Sequence, residues 1–401
     1  MVSERLTPRR RHLELPPWPY QPKPQPDELL SSYLCRLAAG MDLKPITFLN
    51  TIFGSRKNLL AQDLDNYAPD RIIERISIGT QRSPDEIAAC TLPSLVGTLL
   101  TTHNPKGRNP WLLPTTIDNN LRHRFGLQYC ADCLTEDDRP HYRKIWRLAF
   151  VTTCTRHGKM LRDRCPECES PLHPHAAATA MHCFRCGSDV REGKQAWTRP
   201  DHVAWQSRLE RSLRTGWLQL GDETLRSHVG FAIVRQVATL FVNGRKADAF
   251  RNAVARDWDG DPVPYAKPTA RQPIEYLSIE ERHRLFDLVE RVMAGWPFRF
   301  VHSCAEAGIQ RSHAIKDMRS PPFAYEAILR SYLDSRPYYP SEPEVAAAAG
   351  WLRRTKGKAT YRDLKMICGE SRATIYRHMD YERKQTRPSR WRVEAMADAP
   401  N

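Results

Sequence analysis

The sequence contains YCADC at residues 129–133, CTRH at 154–157, CPEC at 165–168 and CFRC at 183–186. In each segment, two residues separate a pair of Cys or His side chains. This spacing lets a tight turn bring both side chains to one side of the backbone, where they can bind the same metal ion. Four such pairs in close succession predict that metal, rather than a large apolar core, holds this part of the chain.

The order of the pairs predicts two metal sites with four protein ligands each. The first set is Cys130, Cys133, Cys154 and His157, and the second is Cys165, Cys168, Cys183 and Cys186. Thiolates and imidazole in tetrahedral sets of four are the usual ligands of structural zinc. Because protein fills all four positions, none is left to activate water. The sequence therefore predicts two structural zinc ions per chain.

The other cysteines and the neighbouring histidines are interpreted differently. Three histidines near the second set are predicted to lie beside it or in solvent, because four cysteines already complete it: His173, His175 and His182. Four cysteines have no partner at ligand spacing and are predicted to be small core residues: Cys35, Cys90, Cys304 and Cys368.

The composition favours a polyanionic partner. The 401 residues include 61 Lys and Arg against 46 Asp and Glu, a formal net charge of +15. From Trp351 to Arg392, thirteen Lys and Arg stand against four Asp and Glu. Such a local surplus attracts nucleic acid, and a basic surface that only serves solubility is the alternative.

Other classes of protein are disfavoured. No apolar stretch approaches the roughly 18 residues of a membrane helix, and residues 1–26 are basic and proline-rich, unlike a signal peptide. We therefore expect a cytoplasmic protein without a membrane partner. The sequence has no GxxxxGK[ST] loop, no GxSxG elbow and no HExxH motif. These absences predict a protein without catalytic residues or an organic cofactor, and not an enzyme.

Apolar periodicity predicts a mainly α, multi-domain fold in which helix-turn-helix modules flank a tandem structural zinc-finger module. The predicted segments are a basic, proline-rich arm (1–26), an N-terminal helical domain with a helix-turn-helix (27–124), a tandem zinc-binding module (125–195), a helical layer (196–256), a linker (257–274), a helical domain with a helix-turn-helix (275–335) and a basic C-terminal helix-turn-helix (345–395).

Capping residues and glycines set the helix boundaries. The first helix-turn-helix is predicted from Asp27 to Gly54, with its first helix ending at Gly40. Capping boxes predict helix starts at Ser83 and Ser278, each with Glu three residues later. Apolar spacing from Trp205 to Trp217 and from Leu225 to Phe241 predicts two further helices.

The C-terminal module is the predicted DNA reader. Leu364, Ile367 and Ile375 are predicted to form its internal face. The start of its second helix supplies residues suited to base edges and phosphates, namely Ser371, Arg372, Thr374 and Arg377. A basic tail suited to the phosphate backbone follows, with Arg383, Lys384 and Arg387. A plain helical hairpin that packs against protein is the alternative.

Several of these segments together resemble the TniQ family of transposition proteins. The similar parts are PDELLSSYLCRLA at residues 26–38, YCADCLTED at 129–137, Trp146, CTRH at 154–157, Leu161 and CPEC at 165–168. The resemblance covers roughly residues 20–190. The length of the chain is similar to that of the free-standing TniQ proteins of mercury-resistance and integron-type transposons.

The resemblance implies a non-catalytic target-site selection factor. Such a protein binds double-stranded DNA and recruits an AAA+ ATPase regulator and, through it, a DDE transposase complex. It also implies a possible homodimer and a bacterial cytoplasmic location, at the nucleoid or a plasmid. Two alternatives stay open: a protein adaptor that docks on an RNA-guided CRISPR surveillance complex, and a zinc-containing transcription regulator.

Overall fold

The computed structural model of the protein describes residues 16–54, 63–105, 107–115, 125–258, 273–316, 318–334, 340–368 and 375–379. Within them the chain is mainly helical, as predicted. The helices are α1 (Leu30–Gly40), α2 (Pro45–Phe53), α3 (Asp70–Thr80), α4 (Pro84–Ala88), α5 (Ala131–Glu136), α6 (Pro200–Thr215), α7 (Ser227–Val242), α8 (Ala247–Asp257), α9 (Ile279–Met293), α10 (Phe298–Glu306), α11 (Arg311–Ala314), α12 (Phe323–Tyr332), α13 (Glu342–Lys356) and α14 (Tyr361–Cys368). The strands form two antiparallel hairpins, β1 (Thr153–Cys154) with β2 (Lys159–Met160) and β3 (Trp217–Leu220) with β4 (Glu223–Arg226).

The chain forms two compact units, Met1–Leu333 and Asp334–Asn401. The finer division into domains given above remains a prediction. Among the described residues, no helix combines the length and the apolar character that crossing a membrane requires.

In the first unit, α1 to α4 pack around one apolar core. The predicted helix pair is present, with α1 ending at Gly40 and α2 ending before Gly54. The proline-rich segment before α1 joins this core through Trp18. A β-carbon on Gly79 would lie 2.2 Å from the Trp18 indole, so only glycine admits this contact. The described part of the arm is therefore fixed against the helices.

Two helices begin at the predicted capping boxes. The Ser83 hydroxyl accepts a hydrogen bond from Glu86 N, and Glu86 accepts one from Ser83 N. Ser278 and Glu281 make the same reciprocal pair at the start of α9. Each box satisfies backbone N–H groups that a helix start leaves without partners, which stabilises a helix by about 1 kcal/mol.

One predicted helical stretch is instead a β-hairpin. Apolar spacing placed Trp217 and Leu225 on helices, but α6 ends at Thr215 and is followed by Gly216, which adopts a left-handed φ of 76°. Residues 217–220 then pair with 223–226 across a two-residue turn that contains Gly221, with φ of 57°. Both glycines permit backbone angles that a continuing helix excludes, so turn chemistry overrides the apolar spacing.

The Cys-rich segment contributes to a large apolar core, which corrects the expectation that metal, rather than such a core, holds this part of the chain. Residues 148–151 are buried, and the Phe150 ring lies 5.4 Å from Trp111 and 5.1 Å from Phe231 of α7. Buried Arg282 of α9 donates a 2.9 Å hydrogen bond to the carbonyl of Ala149. The helical layer therefore supports the backbone on which the clusters stand.

The second unit has a small core formed by α13, α14 and the helical residues 375–379. Leu364 and Ile375 are buried in it, as predicted, but Ile367 is 50% exposed. Cys368, four residues after Leu364 and therefore on the same side of α14, takes the internal position. The prediction for Ile367 was wrong because the packed face of α14 lies one residue further round the helix.

Candidate metal centres

The first cluster brings together the four residues of the first predicted set, Cys130, Cys133, Cys154 and His157. Cys130 precedes α5 and Cys133 lies in its first turn. Cys154 ends β1, and His157 lies in the turn before β2. His157 Nδ1 is 3.4 Å from each of the three Sγ atoms, and Cys133 Sγ is 3.6 Å from Cys154 Sγ.

These separations fit one four-coordinate ion. A tetrahedral ion with metal–sulfur bonds of about 2.3 Å places its sulfur atoms roughly 3.8 Å apart. A disulfide would instead require sulfur atoms about 2.05 Å apart. The three thiols of the cluster are buried, where they are shielded from solvent. The donor set and its spacing therefore suit a closed, structural metal site.

Glu136 orients the imidazole of the first cluster. His157 Nε2 donates to Glu136 Oε2 at 2.9 Å, which leaves Nδ1 free to face the three sulfurs. A carboxylate on the distal nitrogen is the usual support of a metal-binding histidine, because it fixes the tautomer and the ring orientation. Arg156 pairs with the same carboxylate at 2.9 Å. Sequence spacing alone did not identify Glu136, although its position three residues after Cys133 was a usable signal.

The second cluster joins Cys165, Cys168, Cys183 and Cys186. The Sγ atoms of Cys165 and Cys186, and those of Cys168 and Cys183, are 3.6 Å apart. The backbone N–H of Arg185 donates to Cys183 Sγ at 3.4 Å. This cluster is more open to solvent than the first, since Cys186 is exposed. Its four sulfurs offer the all-thiolate set of a closed metal site.

Three of the four ligand pairs share one backbone feature. The residue directly after the second ligand adopts a left-handed conformation in each: Gly158 (φ 65°), Glu169 (φ 55°) and Gly187 (φ 76°). This angle turns the chain back toward the first ligand of the pair. Glycine adopts it without cost, whereas other L-residues lose roughly 1–2 kcal/mol. Glu169 is therefore the strained position among the three.

We expect Glu169→Gly to stabilise the second cluster by roughly 1 kcal/mol and Gly187→Ala to destabilise it by a similar amount. No atom lies within 4 Å of a β-carbon built on Gly187, so the destabilisation expected of Gly187→Ala comes from the backbone conformation alone. Metal release to a colorimetric chelator in increasing denaturant measures both effects. Shifts of both variants in the same direction would contradict this account.

The remaining candidate ligands stand apart from these centres. Neither four-residue cluster includes His173, His175 or His182. The four cysteines predicted as core residues are all buried: Cys35, Cys90, Cys304 and Cys368.

A third group of metal-binding residue types is explained without a metal. His202, Asp287 and Glu290 lie close enough to share an ion. Arg199, however, contacts Asp287 and lies 3.5 Å from Glu290, so its guanidinium already supplies the positive charge. We interpret this group as an ion-pair network.

Most of the predicted DNA-reading residues lie outside the described part of the chain. These are Ser371, Arg372, Thr374, Arg383, Lys384 and Arg387. Arg377 is described: its side chain is 71% exposed, and its guanidinium lies 3.4 Å from a carboxylate oxygen of Glu342. An exposed pair of this kind is weak and leaves the arginine accessible.

The fold and the clusters together define a mainly helical protein with two four-residue Cys/His clusters that could each hold a metal ion. Residues 19–161 match the family model described as TniQ, so this segment carries a TniQ domain. The match confirms the resemblance and includes the first cluster, and it ends before the second. A TniQ domain implies a DNA-binding adaptor associated with transposition. No curated protein matches the chain.

Proposed function

We propose that this protein is a non-catalytic target-site selection factor for DNA transposition. It binds target DNA and recruits an AAA+ ATPase regulator and, through it, a DDE transposase. The match of residues 19–161 to TniQ is the observation that carries the proposal. In this account the protein performs no bond-breaking step, and its contribution is to hold DNA and protein partners in a fixed arrangement.

Zinc is the metal that we propose for both clusters. Three cysteines with one histidine, and four cysteines, are the donor sets of structural zinc sites. Soft thiolate ligands disfavour magnesium and calcium, which prefer oxygen. Bound zinc would supply no chemistry beyond fixing these turns, and the protein residues do the rest. Residues 153–160 hold Cys154 and His157 in one hairpin, and Glu136 holds the imidazole ring.

The second unit is the region that we propose for direct DNA recognition. Arg354, Lys358 and Arg362 are exposed there, which supports contact with phosphates. We propose that Arg372 and Arg377 read base edges and that Arg383, Lys384 and Arg387 hold the backbone. Ser371 and Thr374 would add hydrogen bonds at the start of the same helix.

We expect Arg372→Ala and Arg377→Ala to relax sequence preference by roughly 1–3 kcal/mol per contacted base pair. Lys384→Ala should instead weaken binding to every sequence and flatten the salt dependence. Footprinting of the full chain on candidate target DNA, followed by affinity measurements across salt concentrations, tests both. Arg71→Ala, an exposed arginine on α3, is the control and should change neither quantity.

One observation favours a protein-docking role for the N-terminal helices. Arg36 is bound by Glu28 at 2.7 Å and by the carbonyl of Lys23, so it is not free to contact phosphate. Leu43, between α1 and α2, and Ile46, in the first turn of α2, are exposed. We propose that this pair of helices contacts protein. If the purified protein binds no DNA even at low salt, the alternative of an adaptor on an RNA-guided complex replaces direct recognition.

A further inference from the structure

The first unit contains an arginine-rich cleft that lies far in sequence from the predicted DNA reader. The cleft has a volume of about 730 Å³ and lies between α6 and α9, with the end of α8 and the start of α10 at its rim. Five arginines line it: Arg199, Arg208, Arg211, Arg291 and Arg299. No lysine is among its lining residues, so all of its cationic groups are planar guanidinium forks.

Two of these arginines are used by the fold itself. Arg199 and Arg291 both pair with Asp287, and the Arg291 Nε lies 3.1 Å from its carboxylate. Arg291 also donates to the carbonyl of Trp258 at 2.7 Å. Their charges are therefore largely compensated.

The other three arginines have no carboxylate partner within the described ranges. Arg299 stacks on Trp258, with its guanidinium carbon 4.6 Å from the ring centroid, and it donates to the carbonyl of Arg291. Trp258 is itself fixed by a 3.0 Å hydrogen bond from its indole to Ser303 Oγ. The Arg299 fork is thus held in place with an uncompensated charge.

Arg208 and Arg211 extend this charge along α6. They are exposed and lie three residues apart, so they share one side of the helix about 4.5 Å apart along its axis. Among the lining carboxylates, Asp257 is already paired with Arg256 and lies 3.2 Å from His302. The five arginines face three lining carboxylates in all, Asp201, Asp257 and Glu290, so the lining residues carry a formal charge of +2.

We propose that this cleft binds the phosphodiester backbone of the nucleic acid that the protein selects. A guanidinium fork binds two oxygens of one phosphate at once, and a row of forks follows a row of phosphates. Arg214, exposed one turn beyond Arg211, continues the row along the helix. This repeated spacing and the net charge of +15 favour nucleic acid over an acidic polypeptide. The inference rests on the proposed function and adds a second contact region to it.

The test compares two double variants of the full chain that each lose two positive charges. Arg208→Gln/Arg211→Gln alters the cleft, and Arg71→Gln/Arg139→Gln alters exposed arginines elsewhere on the same unit. Affinity for a labelled DNA duplex of mixed sequence is measured between about 50 and 200 mM salt. The cleft variant should show a salt slope smaller by about two and an affinity lower by on the order of 30-fold at physiological salt. The control should keep the slope of the unaltered chain.

The outcomes separate the inference from the function on which it rests. If the unaltered chain binds DNA and the cleft variant binds with the same affinity and slope, the cleft proposal fails and DNA recognition stands. Equal losses in both double variants would also overturn it, because general charge would then explain the effect. If the unaltered chain binds no DNA at low salt, the proposed function itself fails. Circular dichroism and metal content confirm that both variants are folded.

Discussion

Replacing Cys130 or Cys165 with serine is expected to lower the zinc content of the purified protein from two ions to one per chain. A serine hydroxyl stays protonated at neutral pH and does not replace a thiolate ligand. Structural zinc contributes roughly 10–16 kcal/mol to the folding of small modules, so either substitution should destabilise its surroundings severely. Elemental analysis measures the first effect, and thermal unfolding measures the second.

The two substitutions should differ in how far the damage spreads. Cys130 belongs to the main apolar core, together with Leu134 and Phe150, so its loss should reduce the stability of the whole unit. Cys165 lies outside that core, in the cluster with exposed Cys186, and its loss should unfold the second cluster locally. Limited proteolysis distinguishes the two patterns.

Cys304→Ser is the matched control for both substitutions. Cys304 is buried on α10, outside both clusters. Its replacement by serine should therefore lower stability through lost packing without changing the zinc content. A full complement of zinc in Cys130→Ser, or a single ion in the unaltered chain, would contradict two four-ligand zinc sites.

The sequence predicted the cluster residues because ligand spacing is a local property. Two intervening residues determine which side chains face the same way, whatever the rest of the fold does. The same locality explains the capping boxes at Ser83 and Ser278, where a side chain binds the backbone three residues away. Apolar spacing was less reliable at Trp217, because two glycines turned the chain into a hairpin.

Contacts between distant residues were not predictable from the sequence. Gln195 Oε1 accepts a hydrogen bond from the backbone of Ala131 beside the first cluster, across 64 positions of sequence. The arginines of the cleft come from α6 and the residue before it, from α9 and from α10, and they have no common motif. Arg147, Asp63 and Asp65 would each be interpreted as surface charges. The structure instead buries Arg147 and Asp65 and leaves the Asp63 side chain only 12% exposed. Such groups are recognisable only after the chain has folded.

Arg147 makes the buried ion cluster that joins the N-terminal helices to the Cys-rich segment. Its side chain is 1% exposed, and it donates to Asp63 Oδ1 at 3.1 Å, Asp65 Oδ2 at 3.2 Å and the carbonyl of Leu113 at 2.8 Å. Asp65 in turn accepts from the backbone N–H and the hydroxyl of Ser31 on α1. Arg147→Met should therefore lower the free energy of unfolding by about 3–5 kcal/mol, because it leaves two buried carboxylates without their cation.

The pH dependence of this loss identifies its cause. Burial raises the pKa of Asp65 to about 6 even with Arg147 beside it, whereas Arg147 offsets burial at Asp63 and brings the pKa of that carboxyl below its usual value. Without Arg147 both pKa values rise in the folded state. A carboxyl group whose pKa is higher folded than unfolded stabilises the fold below its unfolded pKa and loses this effect as the pH rises through its folded pKa. The free energy of unfolding that Arg147→Met loses relative to the unaltered chain should therefore become smaller as the pH falls from about 7 to about 5.

A triple variant provides the control for this prediction. Arg147→Met combined with Asp63→Asn and Asp65→Asn removes the cation and both carboxylates, so no uncompensated charge stays buried. Replacing a complete buried ion cluster with neutral groups is often close to neutral in stability, so most of the loss should be recovered. Denaturant unfolding at several pH values gives all of these quantities. A deficit in Arg147→Met that does not change with pH, or that persists in full in the triple variant, would show that packing rather than charge makes Arg147 necessary.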